Sequence, residues 1–467
     1  MSDAKTTRAR TGGPAGDVRL AWLLTKGSDR REWWRVGLTV VGAAGAAGLG
    51  LVIAVLVPMD GQYHIGVGGG LLDQPGTRDG VVVALTLLLV PVFGFLGQCA
   101  RIGAVHRDRR LAALRLAGAA PPQVRRIAGL ETGLACLAGS VLATVVSVAV
   151  LLRMWHHPAP LAWAGIVTVA LLVPAAGAAV STLSLRRVVA SPLGVVRRTR
   201  PAGPGRLFLV ATVLLGVSAL FVTAAAFVGD PFSLPLFGLA VGPLAVFALC
   251  LLVSAVAVWL TGWWSGRLGE ALASRAGSAA VLIAAERLRA DPWAAARTHA
   301  AVLLVTVVGT GFVGVRQALL ADLATLHREH SLAMDVSYYS SGLHLTGAAI
   351  GVALTIVIAA LAVGTAESVA TRRRGLAAQT AAGVPRAVLG RALLLETALP
   401  LLPAVAVAGV GGTGIGVWYA SLTADHLVVP YAAPLVPLAV YACCLLAAAT
   451  SLPLLRRTLH PAELRYA

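Results

Sequence analysis

The chain has 467 residues, of which 58% are hydrophobic and 12% charged, with a formal charge of +18. That balance is far from the one a soluble globular domain carries. The positive excess is scattered over several short stretches, so no single nucleic-acid-binding face is indicated and no nucleic-acid partner is expected.

Residues 1–35 form a basic lead-in ending in Glu32-Trp33-Trp34-Arg35, a composition suited to the headgroup interface. The lead-in lacks the apolar core of a secretory signal, so it is not expected to be cleaved. A bilayer-spanning helix needs about 20 predominantly apolar residues. Ten such runs follow, near 36–57, 80–100, 130–152, 161–185, 207–229, 236–260, 299–320, 343–366, 393–420 and 431–455, and their centres hold no Asp, Glu, Lys or Arg. The expected fold is an all-α integral membrane protein of about ten transmembrane helices, with no large extracellular domain.

The first span carries Gly42, Gly45, Gly48 and Gly50, which permit close helix contact. The loop 58–79 is too short for a domain, and Pro91 predicts a kink in the second span. Residues 107–117 then have helix-forming composition, with Leu111 and Leu114 among arginines. Gly118 stands where a helix end wants a left-handed residue, and Pro121-Pro122 stand where the next helix starts. The predicted shape is a hook: a short surface helix, a sharp turn, then the third span. After the fourth span, the linker 186–206 is basic and rich in Pro and Gly, a candidate boundary. Residues 207–260 form a central helix pair that turns around Gly229-Asp230-Pro231. The segment 261–298 reads as amphipathic and helical, with Asp291 and Pro292 as N-cap and first residue of the seventh span.

The stretch Arg107 to Thr132 returns 265 positions later as Arg372 to Thr397. Eleven residues are identical in that register, among them Arg107, Leu111, Gly118, Arg126, Glu131 and Thr132. A repeat half a chain apart is an architectural statement. It divides the chain into a first four-helix unit, 36–185, and a second, 299–455, with a tail at 456–467. The second hook keeps Leu376 and Gly383 but has Gln379 and Thr380 where the first has Leu114 and Arg115. Six spans separate the two starts, so the repeats are expected to be parallel.

With both termini inside, cytoplasmic segments hold 34 of the 38 Lys and Arg, leaving only Arg78, Arg153, Arg316 and Arg328 outside. That asymmetry places both hooks in the cytoplasm. The five cysteines lie in or beside apolar runs and suggest packing rather than a disulfide framework. Gly409-Val-Gly411-Gly412-Thr-Gly414 matches a dinucleotide fingerprint by letter, but it lies mid-span with no strand before it. His327 and His330 with nearby acids are a weak metal pattern, so no metal site is assigned. Glu131 and Glu396 recur at the membrane edge; pairing with Arg126 and Arg391 is the simpler reading, and sensing hook movement the sharper one. The chain has no GxxxxGK[ST], so it cannot hydrolyse ATP by a phosphate-loop mechanism.

Arg109-Arg110-Leu-Ala-Ala-Leu-Arg-Leu-Ala-Gly-Ala, continuing to Gln123-Val124-Arg125-Arg126 and Leu130-Glu131-Thr132, resembles the signature of FtsX-like permeases, membrane subunits of MacB-type ABC transporters. The resemblance implies two parallel four-helix repeats plus a central two-helix insert. It also implies that the hooks dock on a cytoplasmic ABC ATPase, expected in two copies, which supplies ATP; the chain itself is not an enzyme and holds no cofactor. The coupling residues so implied are Arg107, Arg110, Leu111, Leu114, Arg115 and Gly118 in the first hook, and Arg372, Arg373, Arg374, Leu376 and Gly383 in the second. A bacterial cytoplasmic membrane, membrane lipid around the spans, and export or extraction of a hydrophobic or amphipathic cargo such as an antibiotic, peptide or lipid complete the expectation. An ion-coupled secondary transporter would need an intramembrane charged relay. A lipid-modifying enzyme would need a polar cluster at one depth. Neither pattern is present in the spans.

Overall fold

A computed structural model describes residues 30–59, 61–62, 65, 72–73, 75–99, 116, 119–154, 160–184, 206–228, 235–236, 239–330, 336–423 and 429–453. Among the described residues, nine helices are long and apolar enough to cross a bilayer. In chain order these are α1 (Arg30–Leu56), α2 (Pro75–Cys99), α3 (Pro121–Met154), α4 (Pro160–Ser184), α5 (Arg206–Val228), α6 (Val241–Ala273), α8 (Trp293–Arg328), α9 (Val336–Thr371) and α11 (Arg386–Thr423). Two shorter helices, α7 (Ala279–Ala290) and α10 (Arg373–Ala381), interrupt the series. The chain is a multi-pass membrane protein. The expected tenth run contains α12 (Leu435–Ala449), whose 15 residues reach only about 22 Å at 1.5 Å per residue. A two-residue ribbon, β1 (Pro235–Leu236) against β2 (Leu239–Ala240), precedes α6.

The chain divides into two compact units. The first contains residues 30–51 of α1, all of α3, and α4 from Ala164. Here α3 and α4 run antiparallel on small residues. A Cβ on Gly129 would meet Thr182, one on Gly133 would meet Ala178, and one on Gly177 would meet Cys136. Ser140 donates to the Ala170 carbonyl at 3.0 Å, and Thr132 donates to Ser181 Oγ at 3.1 Å. Lacking side chains, the glycines let backbones approach closely enough for dispersion to act between helices, the chief attraction available in lipid. Gly139 shows the limit, since a Cβ there would lie 2.3 Å from the Val40 carbonyl.

The second unit holds α2, the first turn of α4, and everything from Arg198 onward. Its centre is α8, which packs against α6, α9, α11 and α12 around Val302, Leu303, Val307, Leu401 and Val405. The α8–α11 crossing is again backbone on backbone: a Cβ on Gly412 would come 2.4 Å from the Val307 carbonyl, and one on Gly416 2.6 Å from that of Gly311. Two prolines, Pro400 and Pro403, stand inside α11. At the start of α2, Arg78 is buried rather than free in an outer loop; its Nη1 donates to the Met59 carbonyl at 2.8 Å and its Nη2 to that of Gly61.

The stretch 261–298 is helical, but its punctuation differs from the expected one. Helix α6 is 33 residues long, about 50 Å, and continues well past the roughly 30 Å hydrocarbon layer. Gly269 of α6 lets α7 press close, because a Cβ there would meet the Ala285 carbonyl at 3.0 Å. Ser278 caps α7, its Oγ accepting from the Val281 amide at 3.4 Å. Asp291 ends α7 and pairs with Arg297 at 2.5 Å, while Pro292 is the N-cap of α8. The predicted cap is therefore shifted by one residue, because the carboxylate is drawn to a cation instead of an amide.

Candidate functional site

Of the first hook, Arg107, Arg110, Leu111, Leu114, Arg115 and Gly118 lie outside the described residues. Leu116 is helical and 71% exposed. The second hook is described throughout its backbone, and its local chemistry explains its shape. Arg372 is the N-cap of α10, which runs nine residues. Gly383 follows with φ +89, a conformation open to glycine without steric penalty. The Val384 amide donates back to the Gln379 carbonyl at 3.0 Å, and the Gly383 amide to that of Thr380 at 3.0 Å. That pair of bonds is a Schellman stop, and it satisfies carbonyls a helix end would leave open. Pro385 then restarts the chain, its carbonyl accepting from Val388 and Leu389 as α11 begins.

One face of this hook is sealed. Leu376 is only 1% exposed and clusters with Val369 of α9, Leu389 and Leu393 of α11, Val384, and Ile283 of α7. Full burial of such a side chain stabilises by roughly 1.5–3 kcal/mol. Leu376 is thus an internal anchor of the hook. Gly375, Ala378, Ala381 and Ala382 make the opposite, exposed face, while Arg373 is half-buried and Arg374 lies within the helix. Gln379, at the position of Leu114, leaves its Oε1 buried without a hydrogen-bond partner among the described residues.

The polar centre of the site is Glu396. Arg372 Nη1 donates to both of its oxygens, at 2.7 and 3.1 Å, and Arg287 Nη1 of α7 donates to Oε2 at 3.1 Å. The three side chains are partly covered, at 40%, 18% and 21% exposure for Arg372, Arg287 and Glu396. Two guanidinium groups on one carboxylate leave a net positive cluster. Partial solvent screening keeps each contact near about 1 kcal/mol. The expected partner Arg391 is not engaged. Five residues apart on a helix is about 140° around it, so Arg391 and Glu396 point from different faces. Arg391 lines a shallow groove with Ala280, Val388 and Leu394 instead.

In the first copy, Glu131 is 4% exposed and Thr132 is held by its bond to Ser181. Among the described residues no three His, Cys, Asp or Glu side chains converge on a metal-sized site, and His330 is a turn residue with φ +54. Arg287 is the member that sequence reasoning missed. For the Arg372–Glu396 pair alone a signal did exist: both residues are identical in the first copy, as Arg107 and Glu131, at the same spacing of 24. No curated protein and no solved structure matches the chain. Residues 81–193, which take in most of α2, the first hook, α3 and α4, match the family model described as FtsX-like permease C-terminal.

Proposed function

We propose that this chain is the membrane subunit of an ABC transporter, moving a hydrophobic or amphipathic cargo with ATP hydrolysed by a separate subunit. The observation that carries the reading is the second hook. A nine-residue helix stands between two long spans, anchored inward by Leu376 and terminated by a Schellman stop, and it turns a small-residue face outward. That is a presented surface on a fixed base, which docking of a partner requires. The FtsX-like match over 81–193 and the run of apolar helices support the same reading. So does the register of the helices: α11 begins 265 residues after α3, and α12 ends 265 residues after α4. Two parallel four-helix repeats around a central pair account for that recurrence. Both hooks and both termini then face the cytoplasm of a bacterial cell, each hook taking one ATPase copy. The sequence holds no phosphate-binding loop, so the energy enters through that partner.

The test is purification from native membranes under mild crosslinking. The expected result is a co-purifying soluble ATPase, no steady ATP turnover by the isolated chain, and turnover when the two are recombined. Sustained hydrolysis by the chain alone, or the absence of any ATPase partner, would overturn the reading.

A further inference from the structure

Three segments far apart in sequence share the Glu396 carboxylate: Arg372 at the entry of α10, Arg287 on α7, and α11 itself. The apolar contact of Leu376 with Ile283 and Leu389 brings the same three elements together one layer away. Helix α7 leads through Asp291 and Pro292 straight into α8. One carboxylate therefore ties α10 to the third turn of α11 and, through α7, to the start of α8. The pair Arg372–Glu396 has identical residues in the first copy, whereas the position matching Arg287 is Trp22.

We propose that Glu396 is a positioning residue that yokes the second hook to the bases of α8 and α11 together, with Arg287 as the branch toward α8. The proposal rests on the coupling role assigned to the hook above. A carboxylate between two guanidinium groups suits this task because charge-assisted bonds hold direction as well as distance. An apolar contact alone lets helices slide.

The experiment uses the full chain in lipid nanodiscs, with spin labels at Ala378 of the hook and Leu282 of α7, both exposed. Cys443 is replaced by serine, the other four cysteines being buried. Variants are Glu396→Gln, Arg372→Met and Arg287→Met, with Arg372→Lys as the conservative control. The unmodified chain should give one narrow label distance. Glu396→Gln should broaden it and lower turnover per bound molecule of co-purified ATPase by roughly two- to thirtyfold, the range of long-range coupling effects, while hydrogen exchange in α8 stays slow. Arg287→Met should broaden it with a smaller loss of turnover, and Arg372→Lys should restore much of the narrow distribution. Narrow distances in every variant would overturn the yoke, as would broadening with turnover per ATPase unchanged. If no ATPase accompanies the unmodified chain, the coupling reading falls and the transmission role falls with it, even where the labels report a joint.

Discussion

The triplet Leu-Glu-Thr occurs at the base of α3 and again at the base of α11, and its two surroundings differ in kind. In α3, Thr132 reaches across to Ser181, which in turn donates to the Ala128 carbonyl at 3.2 Å, so the hydroxyls stitch two helices together. In α11, Thr397 only returns to its own helix, bonding the Leu393 carbonyl at 3.4 Å. The residue 265 positions after Ser181 is Leu446, which has no hydroxyl and lies 68% exposed. Glu396 also meets an arginine from α7, whereas the sequence position matching that arginine in the first copy holds Trp22. Identical residues in a repeat acquire their work from neighbours that are not identical.

The largest expected effect breaks the comparison at the hooks. Leu376→Ala should cost about 2–5 kcal/mol, because the side chain fills a sealed cluster. Leu116→Ala, on an exposed site of the first hook, should stay within about 0.5 kcal/mol. Thermal unfolding in detergent, with hydrogen exchange across residues 373–381, measures both; equal losses would mean the second hook is not held by burial. Next in size are Gly139→Ala and Gly412→Ala, one in each unit. Each new methyl is driven against a backbone carbonyl, and each should cost about 1–3 kcal/mol. A large gap between their unfolding temperatures would show that the two units are not built on the same kind of crossing. The smallest effect sharpens the comparison of the triplets. Thr132→Val should lose about 1 kcal/mol through the missing bond to Ser181. Thr397→Val should be near neutral on the same unfolding measurement, and similar losses would remove the distinction drawn between the two bases.

Much of this architecture can be read from the chain because bilayer length and hydropathy leave little choice. The spans, the second hook and the left-handed Gly383 all follow from local rules. What stayed hidden depends on residues brought together from a distance. Arg287 is 109 positions from Glu396, and nothing in the spacing of 261–298 points at it. The resemblance gave Leu376 as a residue of the hook that docks on the ATPase, whereas its side chain is buried against the chain's own Val369, Leu389 and Ile283. Arg391 is close to Glu396 along the chain yet on another helix face, so nearness in sequence misled. Gly262 is a further case: it leaves room for Trp293, whose ring would otherwise lie 2.3 Å from a Cβ, and only the fold shows that pairing.

Pro400 lies four residues beyond Glu396, and Pro403 four beyond Leu399. A proline nitrogen carries no hydrogen, so the carbonyls of Glu396 and Leu399 lose their regular helix bonds, and each ring crowds the preceding turn. The matching positions in α3 are Ala135 and Ala138, which keep both bonds. In mechanical terms α3 is a uniform shaft, whereas α11 has a compliant section directly above the point where the arginines grip it. A load at Glu396 is therefore expected to bend α11 at that section, whereas α3, with its bonds intact, is expected to tilt as one piece.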